Sequence, residues 1–187
     1  MGRIVSPDRT PAGEAHRDMV VAVSWQVSAA SAADAAEIAQ VAARCFPLAC
    51  SPATAPADVA GFIAANLTAE QFTDFIDDPT HHVLRVRSAR AIAGYAMLIS
   101  GRDEEPVELS KMYVLPEFHG GGAATALMEH ALDHARGCGA DTVWLGVNRV
   151  NQRAQRFYRK HGFEVTGTRS FQVGENLEAD FIMQKRL

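Results

Sequence analysis

The residues best placed to do chemistry begin with the stretch PEFHGGGAATAL, Pro116 to Leu127. Three consecutive glycines stand directly before a run of helix formers, although a glycine inside a helix costs about 1 kcal/mol relative to alanine. A helix N-terminus presents unpaired N–H groups and roughly half a unit of positive charge. An anion docks there when no side chain stands in its way. Gly120, Gly121 and Gly122 remove the side chains, and Ala123 and Ala124 keep them minimal. The chemistry this favours is the holding of a phosphate or diphosphate by main-chain N–H groups from His119 to Thr125. A P-loop would require a Lys-Ser/Thr pair after the loop, and a dinucleotide fingerprint would require a glycine where Thr125 stands. The sequence has neither. On this stretch alone, a glycine-rich loop without a ligand remains the alternative.

A second stretch, VNRVNQRAQRFYRKHGF, spaces Asn151, Ala154, Phe157 and Tyr158 as N-x-x-A-x-x-F-Y and closes with His-Gly-Phe. Together the two stretches resemble the GCN5-related N-acetyltransferase (GNAT) superfamily, over about residues 25 to 187. In that family a Q/R-x-x-G-x-G/A segment binds the pyrophosphate of coenzyme A. Here the segment is His119-Gly120-Gly121-Gly122-Ala123-Ala124, with His119 where Gln or Arg is usual. The resemblance implies acetyl-CoA as acyl donor and no metal. It also implies that the pantetheine arm pairs with the backbone of the strand carrying Met112, Tyr113 and Val114. For the arm to enter, that strand must splay from TVWLGV, and a bulge must leave an N–H near Met112 facing the thioester oxygen. Asn151 is expected to contact the arm from the other side. The stretches ELSKMYVLPEFHG, AANLTAEQFTDFIDDP and SFQVGENLEADFIMQKRL are similar to the bacterial spermine/spermidine-type acetyltransferases.

Acetyl transfer to an amine needs an acid for the leaving thiolate and a way to remove the amine's proton. Tyr158 is the candidate acid; a phenol has a pKa near 10, a little above that of a thiol. The alternative is a core tyrosine with its hydroxyl hydrogen-bonded. Glu108 is the candidate base. Strand alternation places Glu108, Ser110, Met112 and Val114 on one face. The alternative is a solvated strand-edge carboxylate beside Glu104 and Glu105. Lys111 falls on the opposite face and reads as surface charge. His130 and His134, four apart on a helix, have a spacing that can bind metal. They fall off the apolar stripe of Leu127, Met128, Ala131, Leu132 and Ala135, however, and read as solvated. His81 and His82 open a strand after Pro79. Cys45, Cys50 and Cys138 form no C-x-x-C pair and read as small buried or half-buried side chains.

These residues require a definite set of elements to position them. Residues 1–18 are polar and without periodicity, and read as a mobile tail ahead of a single domain over 19–187, with Met19 a candidate natural start. VVAVSWQV reads as a strand. SAADAAEIAQVAARCF reads as a helix with Ser31 as N-cap. APADVAGFIAANL and TAEQFTDFIDD read as shorter helices, starting at Pro56 and Thr68. HHVLRVRS, AIAGYAMLIS and VELSKMYV read as strands, joined by turns around Ser88 to Arg90 and at GRDEEP. A helix from Ala124 to about Arg136, the strand TVWLGV, a helix over NQRAQRFYRKHG, and the strand pair FEVTGTRSFQV and ADFIMQKRL complete the chain. This order gives an α+β fold with helices on both faces of one sheet. The GNAT resemblance makes that sheet mixed, mostly antiparallel and splayed between strands 4 and 5.

The chain has 187 residues, 48% hydrophobic and 21% charged, with a net charge of −4. That charge argues against nucleic acid as a partner. No apolar run approaches a membrane span and no secretory signal is legible, so a cytoplasmic protein with no membrane partner is expected. Charge is unevenly spread: residues 25–80 hold Arg44 against seven carboxylates. The expected acceptor is therefore a small-molecule primary amine, with polyamines and other cationic amines favoured by this acidic region. A homodimer is expected from the family, with the C-terminal strands pairing across a two-fold axis. Two other readings are an acyl-CoA-binding regulator without turnover and a nucleotide-binding module.

Overall fold

The computed structural model describes residues 24–89, 91–100 and 106–187. The expected N-terminal tail, the first residues of VVAVSWQV, Arg90 and most of the GRDEEP turn lie outside those residues.

Among the described residues seven strands form one sheet: β1 (Gln26–Ala29), β2 (His81–Arg87), β3 (Ile92–Ile99), β4 (Val107–Val114), β5 (Thr142–Asn148), β6 (Glu164–Val173) and β7 (Asn176–Arg186). Their spatial order is β1-β2-β3-β4-β5-β7-β6. Every neighbouring pair is antiparallel except β4 and β5, which run parallel. In the same described residues five α-helices accompany the sheet: α1 (Ala35–Cys45), α2 (Pro56–Asn66), α3 (Ala69–Asp77), α4 (Ala123–Gly137) and α5 (Gln152–Lys160). The expected α+β architecture is therefore the observed one.

Local sequence explains most boundaries. Ser31 and Asp34 form a capping box, with Ser31 N and Oγ both donating to Asp34 Oδ2 at 2.9 Å, and a single 3₁₀ turn precedes α1. Thr68 caps α3 by accepting from the Gln71 N–H. Pro56 opens α2 at a position where a missing N–H costs nothing. β7 begins at Asn176, three residues before the expected start at Ala179. The reason is its alternation, in which Leu177 is exposed while Glu178 and Asp180 are buried. That inverts the usual rule of apolar residues inside.

The two faces of the sheet carry separate cores. On one, the α4 stripe of Leu127, Met128, Ala131, Leu132 and Ala135 meets Leu84, Leu98, Leu109, Leu145 and Met183. On the other, Ile38, Val41 and Ala42 of α1 and Phe72 of α3 meet Val83, Tyr95 and Met97. Burying such side chains is worth about 1.5–3 kcal/mol each, and both faces must be covered for the central strands to be stable.

β4 departs from simple alternation. Met97 pairs with Lys111 and Leu98 with Leu109, leaving Ser110 as a bulge. The extra residue re-aims the side chains beyond it. Met112 and Val114 pack with Val107 and Leu109 on the α4 face, whereas Tyr113 packs in the opposite core. The expectation that Glu108, Ser110, Met112 and Val114 share a face is thus corrected. Lys111 is corrected as well: it lies on the Phe75 side, its Nζ 4.9 Å from the centre of that ring. Burial holds its ammonium pKa below the ordinary lysine value, with Glu108 opposing that shift.

The histidines also differ from expectation. His130 is exposed, but His134 stacks on His82 with ring centroids 3.5 Å apart and planes within 2°. Burial lowers the pKa of both imidazoles, and in His82 the neighbouring His134 lowers it further. Cys138, expected buried or half-buried, is exposed, with Sγ 3.5 Å from His134 Nε2. No group of three or more metal-ligating side chains occurs among the described residues. Because the two imidazoles hold their protons less tightly folded than unfolded, the unfolded chain binds more protons as pH falls through about 6.5. Stability is therefore full above that pH and declines below it. Melting temperature is expected to fall between pH 7 and pH 5, and to fall less in His134→Leu, as measured by thermal unfolding across that range.

Candidate active site

β4 and β5 pair at only two rungs, Val107–Val143 and Glu108–Trp144, and then part. The opening leads to a cleft of about 480 Å³ that passes through the sheet. Ala124, Asn151, Ala154, Phe157 and Tyr158 line it from the α4 and α5 side. Phe46, Phe62, Phe75 and Phe171 line it from the other. Glu108 stands at the last rung before the parting, so the split places its carboxylate in the same cleft as Tyr158.

The glycine mouth lies at one end. Gly122 is the residue before α4, with φ +91°, and no described side chain caps the helix there. Gly120 has φ +80°, and a Cβ on it would meet nothing within 4 Å. Both conformations favour glycine because a Cβ would crowd the backbone. Gly121 has another reason. Trp25 donates its indole N–H to the Gly121 carbonyl, and its ring lies against Gly121 and Gly122. The stretch of chain before β1 thus supports the loop, a role no local signal in the sequence indicates. His119 lines the cleft and hydrogen-bonds the Val114 carbonyl through Nε2 at 2.7 Å. The open space at Gly120 and the uncapped start of α4 fit a diphosphate, and the unpaired stretch of β4 facing the split fits an extended chain. Together these suit coenzyme A.

Helix α5 is set by Asn151, whose side chain caps it by accepting from the Ala154 N–H at 3.0 Å. Gln155, almost fully buried, pins the preceding turn by donating to the Asn148 and Arg149 carbonyls at 3.1 and 2.9 Å. Its amide at an inward helical position was the only sequence signal of that role. Tyr158, one turn beyond Ala154, faces the cleft, and burial alone pushes its phenol pKa up to about 12. It stays protonated throughout the physiological range. Cys45 and Cys50 also line the cleft, and burial pushes both thiols to about 11. Neither is a thiolate at neutral pH, which argues against a cysteine nucleophile.

The far end of the cleft holds residues that sequence reasoning missed. Arg169 of β6 places Nη1 3.5 Å from Glu108 Oε1 and Nε 3.4 Å from Asp180 Oδ2. Its guanidinium lies 5.4 Å from the Trp144 ring centre and leaves no room for a Cβ on Gly146. One side chain thus reaches from β6 over β7 and β5 to β4. Glu178 is buried against neutral donors: the Thr54 hydroxyl, the Asn148 amide, the Ser51 N–H at 3.2 Å and the Asn176 amide at 3.2 Å. Burial raises the Asp180 pKa above the usual carboxylate value; Arg169 opposes that shift and Glu178 adds to it. Carboxylates at inward positions of β7 were the legible clue, but only to a reader who knew which face was inward.

The acidic helical arm, by contrast, does not supply the cleft's charge. Asp34 pairs with Arg85 at 2.9 Å, Glu37 with Arg87 at 3.3 Å, and Asp78 with His81 at 3.1 Å. None of the arm's seven carboxylates lines the cleft; Glu108, Glu178 and Asp180 do. The expectation that residues 25–80 provide the acidic lining is corrected, because several of those carboxylates are neutralised locally and the arm's contribution to the cleft is mostly apolar.

Residues 36–163 match the Acetyltransferase (GNAT) family. The chain is 53% identical over 154 residues to an uncharacterized N-acetyltransferase of Mycobacterium tuberculosis, covering 82% of this chain and 98% of that one. In fold it is similar to a PaiA N-acetyltransferase of Thermoplasma acidophilum solved in complex with coenzyme A. That likeness has a TM-score of 0.76 at 20% identity and covers 88% of this chain and 99% of that one. It is also similar to a GCN5-related N-acetyltransferase of Rhodopseudomonas palustris, with a TM-score of 0.73 at 17% identity over 90% of this chain and 99% of that one.

Glycine at the mouth can be tested against glycine elsewhere in the same helix. Gly122→Ala forces a Cβ into the left-handed region and is expected to cost about 1–2 kcal/mol. Gly137→Ala, in ordinary helical geometry with open space around it, is expected to stabilise by about 0.4–1 kcal/mol. Urea unfolding of both variants checks the opposite signs, and coenzyme A binding is expected to weaken only in Gly122→Ala.

Proposed function

Because the chain belongs to the acetyltransferase (GNAT) family and is an N-acetyltransferase, we propose that it acetylates a primary amine bearing further positive charge, a polyamine or a similar cationic amine. Acetyl-CoA supplies the activated acetyl thioester. The observation that carries this reading is the parted sheet, which brings Tyr158 from one face and Glu108 from the other into one cleft.

The chain's own groups divide the work. Main-chain N–H groups of Gly120 and of Gly122 to Thr125 hold the diphosphate, assisted by the positive end of α4; those of His119 and Gly121 donate instead to the Pro116 and Phe118 carbonyls. The backbone of Met112 to Val114 holds the arm, with Asn151 opposite. The His119 ring hydrogen-bonds the Val114 carbonyl, which ties the loop to the strand that holds the arm. A main-chain N–H near Met112, on the stretch of β4 beyond its last rung with β5, stabilises the developing oxyanion, a contribution of roughly 3 kcal/mol for one preorganised donor. Glu108 accepts the proton of the attacking amine, directly or through a water. Tyr158 donates to the leaving sulfur. With its phenol raised to about 12, full transfer to a thiolate of ordinary basicity, near 8.5, is uphill by roughly 5 kcal/mol. The hydroxyl therefore acts chiefly as a hydrogen-bond donor until the sulfur, desolvated in the same cleft, becomes a stronger base.

The cationic acceptor rests on Glu108, Glu178 and Asp180 at the cleft's far end, and on the resemblance to spermine/spermidine-type enzymes. A homodimer through the free edge of β6 belongs to the same reading; sedimentation velocity at micromolar concentration is expected to give a single species of twice the chain mass.

Thiol release measured over an amine panel is expected to favour spermidine, spermine and lysine-type amines over neutral ones; a neutral amine preferred over all of them would refute the cationic acceptor. Tyr158→Phe and Glu108→Gln are each expected to lower kcat by about 10²-fold, with the KM for acetyl-CoA changed less than threefold. A Tyr158→Phe enzyme of normal kcat would remove that residue from the mechanism.

A further inference from the structure

We infer that Arg169 determines acceptor specificity: its guanidinium holds, from within the chain, the place that the distal cation of the acceptor takes, and an acceptor with a second positive charge displaces it from between Glu108 and Asp180. This rests on the acetyltransferase reading above and names the feature of the acceptor that the site selects.

Four observations carry it. First, the position is inside the cleft and beside Glu108, the proposed proton acceptor. While Arg169 is in place, that carboxylate is engaged with a cation other than the substrate's.

Second, the hold is loose. Its contacts of 3.5 and 3.4 Å exceed the roughly 2.7–2.9 Å of a strong charge-assisted hydrogen bond. The Arg85–Asp34 pair of the same protein reaches 2.9 Å. Arg169 acts as a point charge shared between two carboxylates, and its side chain retains 32% exposure, so it has somewhere to go.

Third, the surroundings suit a cation in general. The Trp144 and Phe171 ring centres lie 5.4 and 6.0 Å from the guanidinium carbon, within the range at which an aromatic face attracts an ammonium as well as a guanidinium.

Fourth, Glu108 and Asp180 share the one guanidinium, with Glu178 behind them. Lys111 is the other cation near Glu108, and its Nζ is turned over the Phe75 ring. Glu178 is engaged by neutral donors, which leaves Glu108 and Asp180 as the pair a second cation would meet.

The test compares 1,4-diaminobutane with butylamine, which share a chain length and differ by one charge, in thiol-release kinetics. Arg169→Met keeps the stem and removes the competing cation. The ratio of kcat/KM for diaminobutane over butylamine is expected to rise about tenfold, mainly through a lower KM for the diamine. Asp180→Asn is expected to lower that ratio about tenfold. Stabilisation by coenzyme A in thermal unfolding reports that each variant is folded with its mouth intact. A coenzyme A-stabilised Arg169→Met protein whose ratio is unchanged or lower overturns the inference and makes Arg169 a fixed part of the site. If no amine discharges the thioester in the unaltered protein, the acetyl-acceptor reading fails instead. Calorimetric titration with diaminobutane then decides the present claim: binding about tenfold tighter in Arg169→Met supports it, and equal or weaker binding refutes it.

Discussion

Two rungs of parallel pairing followed by a parting of β4 from β5 is the constraint on which the rest of this molecule depends. A sheet does not open without cause, because unpaired backbone N–H and C=O groups are costly when they lose water. Here each strand is committed on its other side. β5 pairs with β7 from Thr142 to Asn148, and β4 pairs with β3 through the Ser110 bulge. Neither can swing to close the gap without breaking its own ladder. The side chains of Ala154, Phe157 and Tyr158 fill toward the gap from one face, and Arg169 crosses it from the other. The edge of β4 is then bared, and the gap brings groups from opposite faces into one cleft. An unbroken sheet would keep Tyr158 and Glu108 on separate sides.

Charge inside the fold follows from the same economy of partners. Three carboxylates are buried among the described residues, each with a different solution. Asp34 has a capping serine and a close arginine, and its pKa is lowered, its hydrogen bonds and Arg85 outweighing burial, which acts the other way. Glu178 is ringed by neutral donors that tie the segment after α1 to β5 and β7. Asp180 shares one distant guanidinium with Glu108, and burial raises its pKa. A buried carboxylate without full compensation is expensive. In a structural role the Asp34 or Glu178 arrangement would be the better one, so the incomplete pairing at Asp180 marks the part of the cleft where charge is left available.

The mouth shows how one local sequence can answer to two demands. Gly120 and Gly122 are needed for left-handed backbone, and Gly121 for the approach of Trp25. His119 contributes through a bond to Val114, linking the loop to the strand that borders the gap.

What the sequence determined by itself is the set of elements and their chemistry. Capping at Ser31 and Thr68, Pro56 at the start of α2, the glycines before α4 and the apolar stripe along it are interactions among residues a few positions apart. Such interactions can be read from spacing, and the family resemblance rested on the same local runs. Tertiary structure decided which faces those elements present and which distant groups meet. The Ser110 bulge reverses the later half of β4, so Lys111 comes inside and Glu108 leaves the face of Met112; no property of Ser110 signals this, because a bulge is set by the register against β3. Trp25 under the glycines, His82 on His134, and Arg169 between Glu108 and Asp180 join residues separated by tens of positions. Their energies depend on distance and burial, which a one-dimensional pattern does not contain. The acidic arm shows the difference most clearly. Its charge was countable in the sequence, but where that charge pointed was fixed only when the fold supplied Arg85, Arg87 and His81 as partners.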